Sequence, residues 1–312
     1  MHIVQFQHTR VPVEKYGGAQ RVVVWLSQAL VELGHEVTLL AGRGSNVPGV
    51  RVAEVDAAEV RRAGFDVHQY VRGPVDVMHY HGLVEHPPHV PYVATLHGNL
   101  GPSGIAPPYV ICLSQDHARR HGTATYVYNG ARLDEYEFRA AKSDYDLFLA
   151  RLHSAKGWRT AVQAAKRGRF RLVLAGGWRP SLSRWVRFAG EVGGDEKRAL
   201  LAGARCLWMP VQWDEPFGLN VVEALASGTP VIATPRGALP ELIDPGVGGL
   251  GTTLDELLAL RDRLAEFDPH ACRRRAERCF THLRMARDYV RMYEHLLTHG
   301  RLPAGRPVDA AV

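Results

Sequence analysis

The sequence predicts an α/β protein made of two doubly wound, Rossmann-like domains that face each other across a cleft. Short apolar runs alternate with segments of helical periodicity along nearly the whole chain, which is typical of parallel sheets flanked by helices. The runs are almost continuously apolar, as expected of strands buried on both faces of a sheet. The alternation pauses once, near Asn129, and then restarts, so there are two such series.

Length and composition agree with this fold class. The chain has 312 residues, of which 46% are hydrophobic and 22% are charged. This length suits two domains, and the composition is that of a soluble globular protein. No apolar run approaches the roughly 20 residues that a membrane helix needs, and the first residues do not resemble a secretory signal. We therefore predict a cytoplasmic location.

The first series starts with a strand, HIVQFQ, and a helix that ends at Gly34, a residue type common just after helices. Its further strand candidates are EVTLLA, VRVAEV, VDVMHYH, PYVATLH, YVICLS and TYVYN. A polar segment from Asn129 to Asp144 then has no strand pattern, and we interpret it as the domain junction.

The second series consists of YDLFLA, a helix from Lys156, FRLVLAGG, VRFAG, a helix from Asp195, CLWMP, a helix from Leu219 and PVIAT. Two helical segments, TLDELLALRDRLAEF and LRMARDYVRMYEHLL, follow. The tail from Gly300 is rich in Pro, Gly and Ala, and we predict that it is disordered.

Two carboxylates flank the start of one predicted helix. Glu215 lies in the loop after the CLWMP strand, and Glu223 lies in the first turns of the helix from Leu219. A helix N-terminus offers unpaired N–H groups to a phosphate, and Gly218 allows a ligand to approach that backbone closely. The carboxylates would then bind neighbouring hydroxyls, so a nucleotide sugar fits this arrangement. Alternatively, Glu215 is an exposed loop residue and Glu223 simply favours the helix dipole.

Two other loops are compatible with phosphate binding. Arg151 ends one strand and Lys156 precedes the next helix, so both cations are expected at the cleft side of the second domain. Gly17 and Gly18 open the first helix but do not form the G-x-G-x-x-G fingerprint of dinucleotide sites. By themselves, the two cations also fit solvated surface charge, and the glycine pair also fits an ordinary turn.

The combination resembles glycosyltransferase family 4, whose members are retaining enzymes of the GT-B fold. The resemblance covers nearly the whole chain. It rests on GGAQRVVVWLSQALVELGHEVTLLA near the start, ARLHSAKG around Arg151, and EPFGLNVVEALASGTPVIATPRGALPELI from Glu215, which is the most specific segment. Two departures are Ala150, where the family usually has Gly, and Gln20, where Glu is common.

The resemblance implies a role for each candidate residue. Arg151 and Lys156 would hold the donor diphosphate, Glu223 the ribose hydroxyls, and Glu215 the hydroxyls of the transferred sugar. Backbone N–H groups around Phe217, Gly218 and Leu219 would help to hold the sugar, and Gly17 and Gly18 would face the diphosphate and the sugar. His97 would lie near the reacting sugar, and Val192 would lie in the segment whose backbone reads the base.

The resemblance also implies a domain plan. Residues 1–140 would form the N-terminal, acceptor-side domain, and residues 141–283 the nucleotide-sugar domain. A helix at 284–299 would pack back on the N-terminal domain, and residues 300–312 would be disordered. The expected substrates are a nucleotide-sugar donor, with UDP taken from family frequency, and an unknown hydroxyl acceptor. We expect no metal, no cofactor and no nucleic-acid partner.

Several alternatives remain open from the sequence. A GT-B sugar-nucleotide epimerase or a non-catalytic sugar-nucleotide-binding protein would share the same donor motifs. The histidines at positions 79, 81, 86, 89 and 97 suggest a metal cluster, although the first two also match the family pattern. The basic segment Ala58–Arg72 leaves peripheral contact with an acidic membrane open. Asp144 and Asp146 form a D-x-D pattern that we interpret as structural, because it precedes a strand.

Overall fold

The structure is a computed structural model that describes residues 1–13, 15, 17–101 and 104–305. The chain divides into two compact units. One is built from residues 1–13 and 17–130 together with the C-terminal stretch that starts at His282, and the other from residues 131–281. The chain thus passes from one unit to the other between Gly130 and Ala131, whereas the sequence analysis placed this boundary after residue 140.

The first unit contains a six-stranded parallel sheet with the strand order β3-β2-β1-β4-β5-β6. Its strands are β1 (His2–Gln7), β2 (Glu36–Ala41), β3 (Arg51–Glu54), β4 (Val77–Tyr80), β5 (Tyr92–Thr95) and β6 (Val110–Ile111). Its helices are α1 (Gly18–Glu32), α2 (Ala57–Val60), α3 (Gln115–Arg120) and α10 (His282–His299), the last helix in the described residues.

The core of this unit follows directly from the sequence pattern. All six residues of β1 are buried, as the apolar run predicts. On α10 the buried side chains recur at helical spacing, including Met285, Tyr289, Met292 and Leu296, and this helix packs against α1. The helix therefore belongs to the first unit, where the sequence analysis expected it to pack.

Two sequence predictions for this unit do not hold. The run TYVYN is not a strand, because Thr125 and Tyr126 form only isolated bridges, to Gly305 and Cys112 respectively. The beginning of the predicted disordered tail is also tied to this segment: the Thr125 hydroxyl donates a 2.7 Å hydrogen bond to the carbonyl of Pro303. The rest of the predicted tail, residues 306–312, lies outside the described residues.

The second unit contains another six-stranded parallel sheet, with the order β12-β11-β10-β7-β8-β9. Its strands are β7 (Asp146–Leu149), β8 (Leu172–Ala175), β9 (Val186–Gly190), β10 (Leu207–Met209), β11 (Val231–Ala233) and β12 (Gly248–Leu250). Its helices are α4 (Trp158–Gly168), α5 (Gly194–Gly203), α6 (Leu219–Ala226), α7 (Leu239–Leu242), α8 (Leu254–Asp262) and α9 (Pro269–Cys279). The sequence analysis did not anticipate β12, whose three residues include two glycines.

The core of the second unit lies around Phe148, Leu174, Trp208 and Ile232. Two parallel sheets with helices are the two-domain Rossmann-like architecture predicted from the sequence, so the predicted fold class is confirmed. Within the ranges that the structure describes, no helix is both long enough and apolar enough to cross a bilayer.

Candidate active site

The topology of the second sheet identifies one edge as the place for a ligand. The chain first adds β8 and β9 on one side of β7 and then crosses to add β10 and β11 on the other side. In open parallel sheets, ligands bind beyond the carboxyl ends of the strands at such a reversal point. Arg151 follows β7 and Glu215 follows β10, so both predicted residues lie at this edge.

The Glu215 carboxylate is fixed by two donors. The Lys156 ammonium lies 2.7 Å from its Oε2 atom, and the indole N–H of Trp213 donates to the same oxygen over 3.0 Å. The Lys156 ammonium also lies 4.3 Å from the centroid of the Trp213 ring, within range of a cation–π interaction. Glu215 is only 12% exposed and Lys156 is 28% exposed, so a ligand can still reach the pair. Both charged residues were predicted from the sequence, whereas Trp213 was not.

Backbone packing brings these side chains together. Gly157 has φ 75° and lies against the backbone after β10, where an added Cβ atom would be 1.7 Å from the carbonyl oxygen of Pro210. The amide of Gln212 donates to the carbonyl of Ala155 over 2.7 Å. These contacts lock the loop of Lys156 onto the loop of Glu215, because only glycine fits this approach.

Helix α6 begins at the same edge. Its N-cap is Gly218, with φ 99°, and no side chain caps the first turn. The side-chain amide of Asn220 donates to the carbonyl of Leu149 at the end of β7, which holds the start of α6 over the strand ends. The uncapped N–H groups and the helix dipole favour an anion here. Leu219 is half-buried.

The side chain of Phe217 belongs to the core and not to the ligand surface. It is 2% exposed and packs edge-to-face on Phe280, with the ring centroids 6.0 Å apart. Any contribution of Phe217 to a ligand must therefore come from its backbone, which is what the family resemblance implied.

The second acidic residue, Glu223, lies deeper in α6 than Glu215. Its side chain is fully buried. Its Oε1 atom receives a 2.6 Å ion-paired hydrogen bond from Lys197 in α5 and a 2.8 Å hydrogen bond from the Tyr136 hydroxyl. Neither Lys197 nor Tyr136 was predicted as a partner of Glu223, because both are distant from it in sequence.

The other two candidates in this unit differ in exposure. Arg151 is exposed directly after β7. Val192 is 4% exposed in the connection between β9 and α5, so only its backbone can reach a base.

The remaining candidates belong to the first unit. Its sheet reverses between β1 and β4. Gly17 is the N-cap of α1, with φ 141°, and Gly18 is the first helical residue, again without a side-chain cap. His97 follows β5 and is half-buried.

A group of neutral histidines surrounds His97. Its Nε2 atom lies 3.0 Å from Nδ1 of His81, whose ring lies tilted against that of His79 with the centroids 4.3 Å apart. His79 hydrogen-bonds Tyr293 and Thr95, each over 2.7 Å. Burial lowers the pKa of His79 to about 3 and of His97 to about 4, and it holds the pKa of His81 well below its ordinary value.

The histidine group and the D-x-D pattern are the two possible metal sites that the sequence raised. In the described parts of the chain, no group of three or more His, Cys, Asp or Glu residues is arranged to hold a metal ion. Asp146 is buried and accepts hydrogen bonds from Trp208 and Arg261, while Asp144 is exposed beside Arg171. Of the two aspartates in the D-x-D pattern, Asp146 thus belongs to an ion pair in the core and Asp144 lies on the surface.

Comparison with known proteins supports a glycosyltransferase. Residues 145–267 match the family model described as "Glycosyl transferases group 1", and this range lies within the second unit. Part of the chain is 36% identical over 124 residues to the MMP α-(1→4)-mannosyltransferase of Mycolicibacterium hassiacum, covering 36% of this chain and 30% of that protein. The aligned regions span about a third of the length of such curated relatives.

Solved structures match over nearly the whole chain. AviGT4, a glycosyltransferase involved in avilamycin A biosynthesis, is 29% identical with a TM-score of 0.78, covering 97% of this chain and 99% of that one. HepE from Anabaena, solved in complex with UDP-glucose, is 16% identical with a TM-score of 0.71, covering 95% of this chain and 100% of that one. These similarities identify the fold as GT-B.

Proposed function

We propose that this protein is a retaining glycosyltransferase that moves a sugar from a nucleoside-diphosphate sugar, UDP in our assignment, to an acceptor hydroxyl without a metal ion. The observation that carries the proposal is the contact of Lys156 and Trp213 with Glu215, next to the uncapped start of α6 and at the reversal point of the sheet.

The charges at this edge suit a pyrophosphate. Lys156 and Arg151 supply two cations, and the start of α6 supplies N–H donors and about half a positive charge. Lys156 is ion-paired but still partly exposed, so it can bind a phosphate while it keeps Glu215 in place. The planar guanidinium of arginine can donate two hydrogen bonds to phosphate oxygens at once, and the ammonium group of lysine supplies a compact positive charge.

The fixed carboxylate suits a sugar. An ionised carboxylate only accepts hydrogen bonds, and a sugar ring presents several hydroxyl donors. Because Lys156 and Trp213 both bind the same oxygen, Oε2, the other oxygen of Glu215 is the natural acceptor for those hydroxyls. We assign Glu215 to orienting the transferred sugar and not to nucleophilic attack.

The relatives are consistent with this donor class. The mannosyltransferase named above transfers a hexose, and HepE was solved with UDP-glucose. For Glu223 we keep the ribose as the proposed partner. Its carboxylate is buried against Lys197, so this contact requires the carboxylate to become accessible when the donor binds.

The proposed mechanism is electrostatic. Cleavage of the bond between sugar and diphosphate places negative charge on the leaving group, where Lys156, Arg151 and the N–H groups of α6 stabilise it. A single preorganised donor of this type contributes about 3 kcal/mol in the transition state. Attack from the face that the diphosphate leaves, with the leaving phosphate accepting the acceptor's proton, would retain the anomeric configuration.

A ligand panel tests donor binding. UDP, GDP, ADP and TDP and their sugars are compared by thermal shift, because a ligand at 100 times its Kd stabilises the folded protein by about 2.7 kcal/mol. We expect the UDP series to raise the Tm most. Lys156→Ala should lose this shift, while Lys166→Ala, an exposed lysine of α4, should keep it.

Turnover then tests the reaction. Release of the nucleoside diphosphate and formation of a glycoside are followed by chromatography for wild type, Lys156→Ala and Glu215→Gln, with the exposed Asp262→Asn as the matched control. Undiminished turnover in both site variants would refute the assignment. A product that is an epimer of the donor would identify an epimerase, and donor binding without any hydrolysis or transfer would identify a binding protein.

A further inference from the structure

The hydrogen bond between His81 and His97 can contain only one proton. Their facing atoms, Nδ1 of His81 and Nε2 of His97, are 3.0 Å apart. Burial keeps both imidazoles neutral at pH 7, because their pKa values lie below the ordinary range. A neutral imidazole has one N–H donor and one acceptor nitrogen. One ring therefore donates to the other, and the choice fixes both tautomers.

The environment of His81 decides which ring donates. Its Nε2 atom is buried and has no hydrogen-bond partner within the described residues. A buried N–H group without an acceptor is rarer and less tolerated than an acceptor without a donor. The proton of His81 therefore belongs on Nδ1, which faces His97. The neighbouring His79 offers no other partner, because both of its nitrogens are engaged by Tyr293 and Thr95.

We propose that His81 is a positioning residue that sets the tautomer of His97, so that His97 presents its Nδ1–H group as a hydrogen-bond donor to a ligand oxygen. Because Nε2 of His97 accepts from His81, the proton of His97 lies on Nδ1. His97 is half-buried, so part of the residue remains accessible to a ligand. Its ligand atom is then an acceptor, such as a hydroxyl or phosphoryl oxygen, and His97 does not act as a general base. Assigning this oxygen to a substrate rests on the proposed function.

The backbone beyond His97 is held by a second histidine. Nε2 of His117 donates to the carbonyl of Gly98 over 3.1 Å, and Nδ1 of His117 accepts from the amide of Leu113 over 3.1 Å. Both nitrogens of His117 are thus satisfied by fixed backbone groups. The backbone next to His97 is therefore restrained at Gly98, while the contact with His81 restrains the His97 ring.

Nitrogen NMR measures the tautomer directly. In histidine-labelled protein at pH 7.5, two-bond proton–nitrogen correlations distinguish an Nδ1-protonated ring from an Nε2-protonated ring, and His97→Gln identifies the His97 signals. We expect Nδ1 of His97 to be protonated in the wild type. Detection of the Nε2-protonated form in the wild type would overturn the inference, whatever the behaviour of any variant.

Two substitutions of His81 test the cause. His81→Phe keeps a ring on His79 but has no donor, and we expect it to shift His97 toward the Nε2-protonated form. His81→Asn places an amide N–H group near the former Nδ1 position, and we expect it to preserve the wild-type tautomer. An unchanged His97 spectrum in a folded His81→Phe protein would overturn the inference.

Measurements of activity distinguish a failure of this inference from a failure of the proposed function. Loss of one neutral hydrogen bond corresponds to between about twofold and tenfold in kcat/KM for His81→Phe. His81→Asn should stay within about twofold of wild type by the same scale. If the wild type transfers no sugar, the proposed function fails, while the NMR result still decides the tautomer.

Discussion

Removing the buried cation beside Glu223 should destabilise the second unit strongly. Lys197 and Glu223 are 9% and 0% exposed, and their charged atoms are 2.6 Å apart. Lys197→Met keeps much of the side-chain volume but removes the cation from the buried carboxylate, while the Tyr136 hydroxyl still donates to Oε1. Breaking a buried pair from one side costs about 3–5 kcal/mol, because the remaining charge stays desolvated.

The double variant separates this effect from lost packing. In Lys197→Met/Glu223→Gln both charges are gone, and the glutamine carbonyl can still accept from Tyr136. We expect the double variant to be more stable than either single variant, because a buried pair that is removed completely leaves no unpaired charge. For a unit of this size, the expected loss in Lys197→Met corresponds to a fall in Tm of roughly 6–20 °C.

Tryptophan fluorescence during urea unfolding is a suitable assay. Of the six tryptophans in the chain, only Trp25 lies in the first unit; the others are Trp158, Trp178, Trp185, Trp208 and Trp213. Lys166→Met, an exposed substitution of the same type, should remain within about 0.5 kcal/mol of wild type. A loss below about 1 kcal/mol in Lys197→Met, or strictly additive losses in the double variant, would refute this account of the ion pair.

Three further outcomes follow from the structure. Gly157→Ala should cost clearly more stability in urea than Gly190→Ala, because both glycines have similar positive φ values, 75° and 80°, but an added Cβ meets a backbone carbonyl only at Gly157. Trp213→Phe should keep an aromatic ring beside Lys156 but lower kcat/KM by between about twofold and tenfold through loss of the indole N–H, and a wild-type value would contradict the proposed role of this hydrogen bond. His79 and His117 have folded-state pKa values of about 3 and about 4, below the unfolded value of 6.5. The unfolded chain therefore binds more protons than the folded protein below pH 6.5, and the protein becomes less stable as the pH is lowered. Each histidine should lower the free energy of unfolding by about 2 kcal/mol between pH 7 and pH 5. Denaturation of His79→Phe and His117→Phe should show a correspondingly shallower dependence of this free energy on pH.

The sequence predicted the fold class because both sheets are parallel and their strands are apolar on both faces. The strand predictions were wrong where strand formation depends on pairing with a distant segment. β12 is a three-residue strand, two of whose residues are glycines, defined by its pairing with β11. Thr125 and Tyr126 look like a strand, but each bridges a different distant segment for a single residue.

The candidate site shows the same division. The sequence predicted Glu215 and Lys156 as candidates because their motifs include the glycines and loops that position them, and the structure brings the two side chains into contact. Lys197 and Tyr136 were not predictable, because they are 26 and 87 positions away from the carboxylate that they bind. Trp213 lies only two residues before Glu215, but nothing in a single sequence indicates that its indole faces the carboxylate.

The discontinuity of the first unit has a consequence for the order in which the protein acquires its structure during synthesis. Apart from a short stretch at Lys15, the second unit is formed by residues 131–281, and it has all of its described strands once residue 281 has left the ribosome. The first unit begins earlier but still lacks the Tyr289 and Tyr293 hydroxyls, which bond Thr95 and His79 in its interior. We therefore expect the later half of the nascent chain to mature before the earlier one, the reverse of the usual vectorial order.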